Sequence, residues 1–344
     1  MKYKYINFLN VLATFAVVCL HVNNFWSFNT ANWPYYNFVE SLCYFAVPVF
    51  VMISGATLID YREKYDTKTF FKRRFLRVLL PYLIFSFIYI ISDYFLSKKS
   101  ITFKEFIEIF LNGRGFGIFG FFILIMNLYL CIPIISLIPS DKRKEAFGYL
   151  ILLGIILNAF LPQLFRYLNI SFTPDWNLNL LGGYLLFALI GYYIHKYPIE
   201  FKNRICLYIL GIISLLVMCV GTYNRSMAQG SIDLFYKSYL NLFSIIYASS
   251  IFLFFRYLEN SKFMNCVDIL CSKISRYCLG VYLIHVWIKN KLGRFAFFNN
   301  REIYQDIILI LILFVGSLLI YYAIIKLLDF CKKHIIKPIK REQI

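Results

Sequence analysis

The chain has 344 residues, of which 60% are hydrophobic, and its mean hydropathy is +0.65. Soluble domains are about 45–50% apolar, so this composition excludes an ordinary soluble protein. The net charge of +18 does not indicate nucleic acid here, because the basic residues lie mainly between apolar runs, where topology and anionic lipid headgroups explain them. Nine cysteines are scattered without a CxxC pair, so no metal site or disulfide framework is predicted.

Apolar runs recur along the chain, and many are long enough to cross a hydrocarbon core of about 30 Å as a helix. The sequence therefore predicts an all-α, polytopic membrane helix bundle made of one domain, residues 1–344. The ten predicted spans are 5–25, 38–59, 77–96, 117–138, 147–166, 178–196, 204–222, 238–257, 275–291 and 307–329.

The loops between these spans predict the orientation of the bundle. One side holds the basic run Lys72-Arg73-Arg74 and the basic C-terminal segment, whereas residues 26–37 and 167–177 on the other side contain no Lys or Arg. By the positive-inside rule, both termini are expected in the cytoplasm. The segments expected on the cytoplasmic side are 60–76, 139–146, 197–203, 258–274 and 330–344.

The first predicted span ends in His21. A polar side chain in hydrocarbon is costly, so such a histidine usually faces the protein interior or a wet cavity and is a candidate catalytic base. The alternative is an interfacial histidine that merely bonds a neighbouring helix. Glu40, at the outer end of the second span, faces the same leaflet, where its carboxylate can orient the imidazole and stabilise its protonated form. The alternative for Glu40 is a solvated interfacial acid.

The second and third spans carry a packing motif and a basic motif. Pro48 is expected to kink its helix, and Ser54-Gly55 to let another backbone approach closely. Arg74 and Arg77 are three residues apart and share one face of an α-helix. Their guanidinium groups match phosphate geometry and suit a phosphate-bearing donor such as a coenzyme. Positive-inside topology with lipid headgroups is the alternative.

A second polar intrusion lies in the ninth span. Tyr282 and His285 are three residues apart, and His285 is predicted to lie well inside the bilayer, which makes it a functional-site candidate. Its alternative role is a structural hydrogen bond to Tyr or Ser. The polar and aromatic outer loop 171–177 is suited either to hold a sugar or to anchor the chain at the interface. No Gly-rich phosphate loop, HExxH or GxSxG occurs, so P-loop ATPases, zincins and α/β-hydrolases receive no support.

Four of these motifs, in this order, resemble the membrane acyltransferase family 3, which includes bacterial O-acetyltransferases of surface polysaccharides. They are 13–21, which ends in His21, the Pro48-containing stretch 47–55, the basic run 71–82, and 275–285, which ends in Tyr-Leu-Ile-His. The family pattern has an acidic residue near the start of span one and a basic residue ahead of the histidine. Here those positions hold Asn7 and Asn10.

The resemblance implies an O-acetyltransferase embedded in the cell membrane, in bacteria the cytoplasmic membrane. Acetyl-CoA or another acyl-CoA would serve as co-substrate, with no permanently bound cofactor and no metal. Its phosphates would dock on Arg74 and Arg77, with Ser54 also in the donor site. The acceptor would be a hydroxyl of a cell-surface or lipid-linked glycan.

In this interpretation His21 is the base, or relays the acyl group, and Glu40 orients it. His285 or Tyr282 stabilises the developing oxyanion. Two other functions stay open. Ten helices with intramembrane histidines also suit a transporter or flippase of a lipid-linked saccharide, although no internal inverted repeat is visible. The Asn7 and Asn10 departures suit an inactive relative that acts as a scaffold.

Overall fold

The computed structural model describes residues 3–97, 102–112, 119–171, 173, 183–293, 295, 302–331 and 334. The outer loop proposed to hold a sugar, 171–177, lies outside these residues except for Ser171 and Thr173. Most of the basic C-terminal segment also lies outside them.

The described residues form sixteen α-helices and no strand. The helices are α1 Lys4–Val22, α2 Trp33–Cys43, α3 Ala46–Leu58, α4 Thr67–Arg74, α5 Leu80–Ser97, α6 Phe103–Asn112, α7 Gly120–Ile135, α8 Arg143–Ile155, α9 Leu161–Tyr167, α10 Leu185–Lys196, α11 Phe201–Leu216, α12 Thr222–Gln229, α13 Leu242–Tyr257, α14 Lys262–Ile274, α15 Cys278–Leu292 and α16 Ile303–Cys331. A 3₁₀ turn follows α3 at Ile59–Glu63, and π-helical turns join α4 to α5, α8 to α9 and α11 to α12.

The all-α membrane bundle is confirmed, but fewer helices are long enough to span than the ten predicted. Six helical segments of the described chain have the length and apolar character to cross a membrane, or seven if the bent pair α13–α14 counts as one span. The other predicted spans fall on the shorter helices α7, α10 and α15, of 16, 12 and 15 residues. A full crossing needs about 20 residues. Apolar runs alone do not distinguish such short helices, some of them buried in the bundle, from complete spans.

Four of the segments predicted to share one side do meet at one end of the bundle. Asp60, just after α3, forms ion pairs with Arg143 at 2.5 Å and with Lys196 at 2.7 Å. Nearby, the Tyr257 hydroxyl accepts a hydrogen bond from the Ile199 amide at 2.8 Å. At the same end, Glu259 accepts the first amides of α1, where a carboxylate complements the helix dipole. Which side of the membrane this end faces stays a prediction.

The segment 258–274 differs from the expected loop. It contains α14, whose N-cap is Ser261, and the Ser261 hydroxyl accepts from the Met264 amide at 3.1 Å. This N-cap satisfies an amide that has no intrahelical partner. The axis of α14 lies at 103° to that of α13, and this bend turns α14 back against α1.

Prolines determine where three of the helices are interrupted. The predicted second span breaks at Tyr44–Phe45, between α2 and α3, and Tyr44 is the residue four before Pro48. A proline lacks the N–H that would bond that carbonyl, and its ring clashes with it. The π turns at Phe75–Leu79 and Ile156–Phe160 each end two residues before a proline, for the same reason.

The predicted close backbone contact at Gly55 is confirmed, and its partner helix is α10. A Cβ added to Gly55 would lie 1.9 Å from the Ala188 carbonyl oxygen, and one added to Gly191 would lie 2.2 Å from that of Met52. Helices α3 and α10 therefore touch backbone to backbone. This contact buries the facing sides of both helices in the core of the bundle.

Candidate active site

Two histidines from distant parts of the chain meet inside the bundle. His21 lies in the last turn of α1 and His285 in the middle of α15. The His21 Nδ1 and His285 Nε2 atoms are 2.9 Å apart, and His285 Nδ1 lies 2.9 Å from the carbonyl oxygen of Val281. His285 is fully buried. The pair joins the first and the ninth predicted spans.

These contacts define the tautomer of each neutral ring. A carbonyl oxygen only accepts, so His285 Nδ1 must carry the hydrogen that it donates to Val281. His285 Nε2 is then the acceptor, and it takes its hydrogen bond from His21 Nδ1–H. His21 Nε2 is left with a lone pair. A second group that fixes the tautomer and orientation of a histidine in this way is a common feature of histidine bases.

His21 lines a cavity of about 780 Å³, which we call the histidine cavity. Glu40, Asn127, Trp26 and Tyr282 also line it, together with apolar side chains from α1, α3 and α7. Trp26 is 71% exposed. Most of the lining residues are apolar and a few are polar, which is typical of sites for small organic ligands.

Glu40 lies on the histidine cavity, but its bond goes to Asn23 rather than to His21. Its Oε2 accepts from Asn23 Nδ2 at 2.9 Å. The ring of His21 is held by His285 instead. Glu40 therefore faces the same space as the imidazole without the contact that would orient it.

Lys237 lies close to Glu40 and is a buried cation that the sequence did not single out. Its Nζ donates to Asn37 Oδ1 at 2.7 Å and lies 4.3 Å from the centroid of the Phe25 ring. Burial lowers the pKa of Lys237, and the Glu40 carboxylate opposes this shift. The only sign of this buried cation in the sequence was a single lysine in a short segment between two apolar runs.

Lys289 is a second cation that the sequence analysis missed. Its Nζ donates to the backbone oxygen of His21, one of the last carbonyls of α1, which have no partner within the helix. Because Lys289 lies one turn after His285 on α15, it ties the end of α1 to the helix that carries the second histidine.

A smaller cavity of about 200 Å³ lies on the other side of α7 and contains the predicted donor-site residue Ser54. We call it the serine cavity. Its other polar lining groups include Asn10, Tyr129, Ser275, Arg276 and Tyr282. The Ser54 hydroxyl donates to the Phe50 carbonyl at 3.1 Å, which leaves its oxygen able to accept from a ligand.

Arg74 and Arg77 do not share one face as an unbroken α-helix would require. The π turn Phe75–Leu79 starts directly after Arg74 and contains Arg77. Arg74 is half-buried, with its guanidinium carbon 5.7 Å from the ring centroid of Tyr129, and its Nε is buried without a hydrogen-bond partner. Arg77 is exposed. Arg74 therefore packs on Tyr129, a residue that lines the serine cavity, whereas the side chain of Arg77 is exposed.

Asn7 and Asn10, the departures from the family pattern, are both hydrogen-bonded. Asn7 Nδ2 donates to Asp268 at 2.9 Å, and the Ser275 hydroxyl donates to Asn7 Oδ1 at 3.3 Å. Asn10 Nδ2 donates to the Ser275 carbonyl at 3.0 Å. These bonds attach α1 to α14 and to the turn before α15, next to the serine cavity.

Fold and site together define a multi-pass membrane protein in which His21, bonded to the buried His285, lines a cavity that opens beside the exposed Trp26. The chain matches the family model described as "Acyltransferase domain", acyltransferase family 3, over residues 3–326. It belongs to this family and is a membrane acyltransferase, which confirms the resemblance. Neither the comparison with curated proteins nor that with solved structures gave a match.

Proposed function

We propose that this acyltransferase moves an acetyl or other short acyl group from cytoplasmic acyl-CoA to a hydroxyl of a cell-surface or lipid-linked glycan, in a bacterial cytoplasmic membrane. The observation that carries the proposal is the ring of His21 on the wall of the histidine cavity, held by its hydrogen bond to the buried His285. Its oriented lone pair is what removal of a hydroxyl proton requires.

The reaction needs one base and one leaving group. His21 Nε2 takes the proton of the acceptor hydroxyl as that oxygen attacks the thioester carbonyl carbon. The C–O bond forms, the C–S bond breaks, and the proton passes from His21 to the departing thiolate. The products are the glycan ester and free CoA thiol.

The remaining site residues receive roles from their position. His285 acts as the positioning residue for His21, since both of its ring nitrogens are already bonded. Tyr282 lines the cavity and is the donor we assign to the developing oxyanion. Glu40, on the same cavity, is assigned to accept hydrogen bonds from acceptor hydroxyls.

The donor is assigned to the side of the serine cavity. Arg74 would bind a CoA phosphate, since its unpaired Nε supplies a donor beside Tyr129. Exposed Arg77 would add charge at the entrance, and the Ser54 hydroxyl would accept from the donor's pantetheine amides.

Reconstituted vesicles test the proposal. Purified protein is given radiolabelled acetyl-CoA and a membrane glycan fraction, and base-labile label on the glycan is counted. Wild type should label the glycan and His21→Ala should not, while His195→Gln serves as a matched histidine control outside the site. Equal labelling by His21→Ala would refute the base assignment. Movement of glycan without acyl-CoA would support a flippase instead.

A further inference from the structure

The histidine cavity and the serine cavity lie on different faces of one helix, α7. Leu124, Asn127 and Cys131 line the histidine cavity, whereas Phe122, Ile125 and Tyr129 line the serine cavity. Each set repeats every three or four residues, as a helical face does. Helix α7 is therefore the wall between the two spaces.

Two aromatic residues stand at the edge of this wall. Among the described residues, Phe121 and Tyr282 are the ones that line both cavities. Their ring centroids are 5.1 Å apart. Phe50 lies behind Phe121 at 5.7 Å, and Phe122 lies against Tyr282 at 5.6 Å. The two rings thus separate the cavities where α7 faces α15.

The proposed donor and acceptor groups lie on opposite sides of this ring pair. Asn10 lines the serine cavity and His21 the histidine cavity, eleven residues further along α1, which is about 16 Å of helix. A thioester whose phosphates bind near Arg74 starts on the Asn10 side. Its carbonyl must pass the ring pair before it can react next to His21.

We propose that the serine cavity receives the acyl-pantetheine arm and that the Phe121–Tyr282 ring pair is a partition that selects for short acyl chains and keeps water from the thioester. The inference rests on the proposed function, and it adds the residues that determine the donor's specificity. An acetyl group can pass between closely packed rings if the rings move slightly. A longer acyl chain contacts more of both rings, so the rings must be displaced further.

The partition also has a consequence for the side reaction. If water replaces the acceptor hydroxyl, its oxygen attacks the thioester carbon, the C–S bond breaks, and a free acid forms with CoA thiol. A gap between the cavities would let water reach the thioester without a glycan. The ratio of thiol released to ester formed therefore reports the state of the partition.

Phe121→Ala tests the inference in reconstituted full-length protein. We expect the rate with propionyl-CoA relative to acetyl-CoA to rise about tenfold, since the one additional methylene is worth 10–200-fold in a tight pocket. We also expect the ratio of thiol to ester to rise severalfold. Tyr282→Phe keeps the ring and removes the hydroxyl, so it should lower the rate without changing either ratio.

Phe147→Ala is the matched control, because Phe147 is a buried phenylalanine against Tyr192 and lines neither cavity. It should leave both ratios at the wild-type values. Should Phe121→Ala fail to fold, Phe121→Leu is expected to give smaller changes in the same direction. Wild-type ratios in a folded Phe121 variant would overturn the partition. Absence of any ester from the wild type would instead overturn the proposed function.

Discussion

Replacing His285 by leucine probes the pairing of the two histidines. The change removes the acceptor of His21 Nδ1–H, which His285 Nε2 supplies at 2.9 Å. A buried donor left without a partner costs about 1–3 kcal/mol. If the loss raises the free energy of the reactive orientation of His21 by this amount, the activation barrier rises equally. Acyl transfer then slows about 5- to 150-fold, because 1.36 kcal/mol is a factor of ten in rate.

His285→Gln separates the hydrogen bond from the volume of the ring. The glutamine amide oxygen can accept from His21 Nδ1–H, so this variant should keep more activity than His285→Leu. The assay is kcat for ester formation in vesicles, with thermal unfolding measured in parallel. His195, whose Nδ1 lies 2.6 Å from the Tyr5 hydroxyl at the opposite end of α1, supplies the control His195→Gln.

The reasoning would be refuted by a folded His285→Leu protein with wild-type kcat. It would be equally refuted if His195→Gln lost as much activity as His285→Leu, since the effect would then come from general loosening of the bundle.

Other consequences concern packing, charge and the donor. Gly55→Ala should destabilise the protein by about 1–3 kcal/mol in unfolding experiments, because its Cβ would lie 1.9 Å from a backbone carbonyl oxygen. Gly148→Ala is the control and should not destabilise, because its Cβ would lie 3.6 Å from a ring carbon of Tyr193, an ordinary contact distance. Asp60→Leu leaves Arg143 and Lys196 without their carboxylate. It should lower the free energy of unfolding by about 3 kcal/mol, at the low end for broken buried ion pairs because the Lys196 side chain is 40% exposed. An unchanged melting temperature would contradict this. Arg74→Ala should raise the KM for acyl-CoA more than Arg77→Ala does, since Arg74 packs on Tyr129, a residue that lines the serine cavity; the opposite order in a donor titration would exclude that docking site.

Local chemistry made much of the fold predictable from the sequence. Long apolar runs give the helices, and Pro48 gives the break before α3 because its missing N–H acts on a residue four positions away. Gly55 marks a close contact between backbones, since only glycine tolerates so short a distance, although the structure was needed to identify α10 as the partner helix. Each of these inferences needs only a few neighbouring residues.

The contacts inside the site depend on which helices become neighbours, and periodicity does not contain that information. His21 and His285 were both candidates, but 264 residues separate them, so Glu40 was the expected partner of His21. The shared face of Arg74 and Arg77 assumed an α-helix, whereas the π turn before Pro81 changes the register. In the sequence, Lys237 cannot be told from any other charged loop residue. Its burial against the Phe25 ring is visible only in the structure.

The most direct test of the account is a simultaneous measurement of CoA thiol and glycan ester in vesicles that contain wild type or His21→Ala. We predict one thiol for each ester in the wild type, and loss of about 10²–10⁴-fold in both for His21→Ala, the usual contribution of a general base. Ester formation by His21→Ala at the wild-type rate would contradict the central role assigned to this histidine.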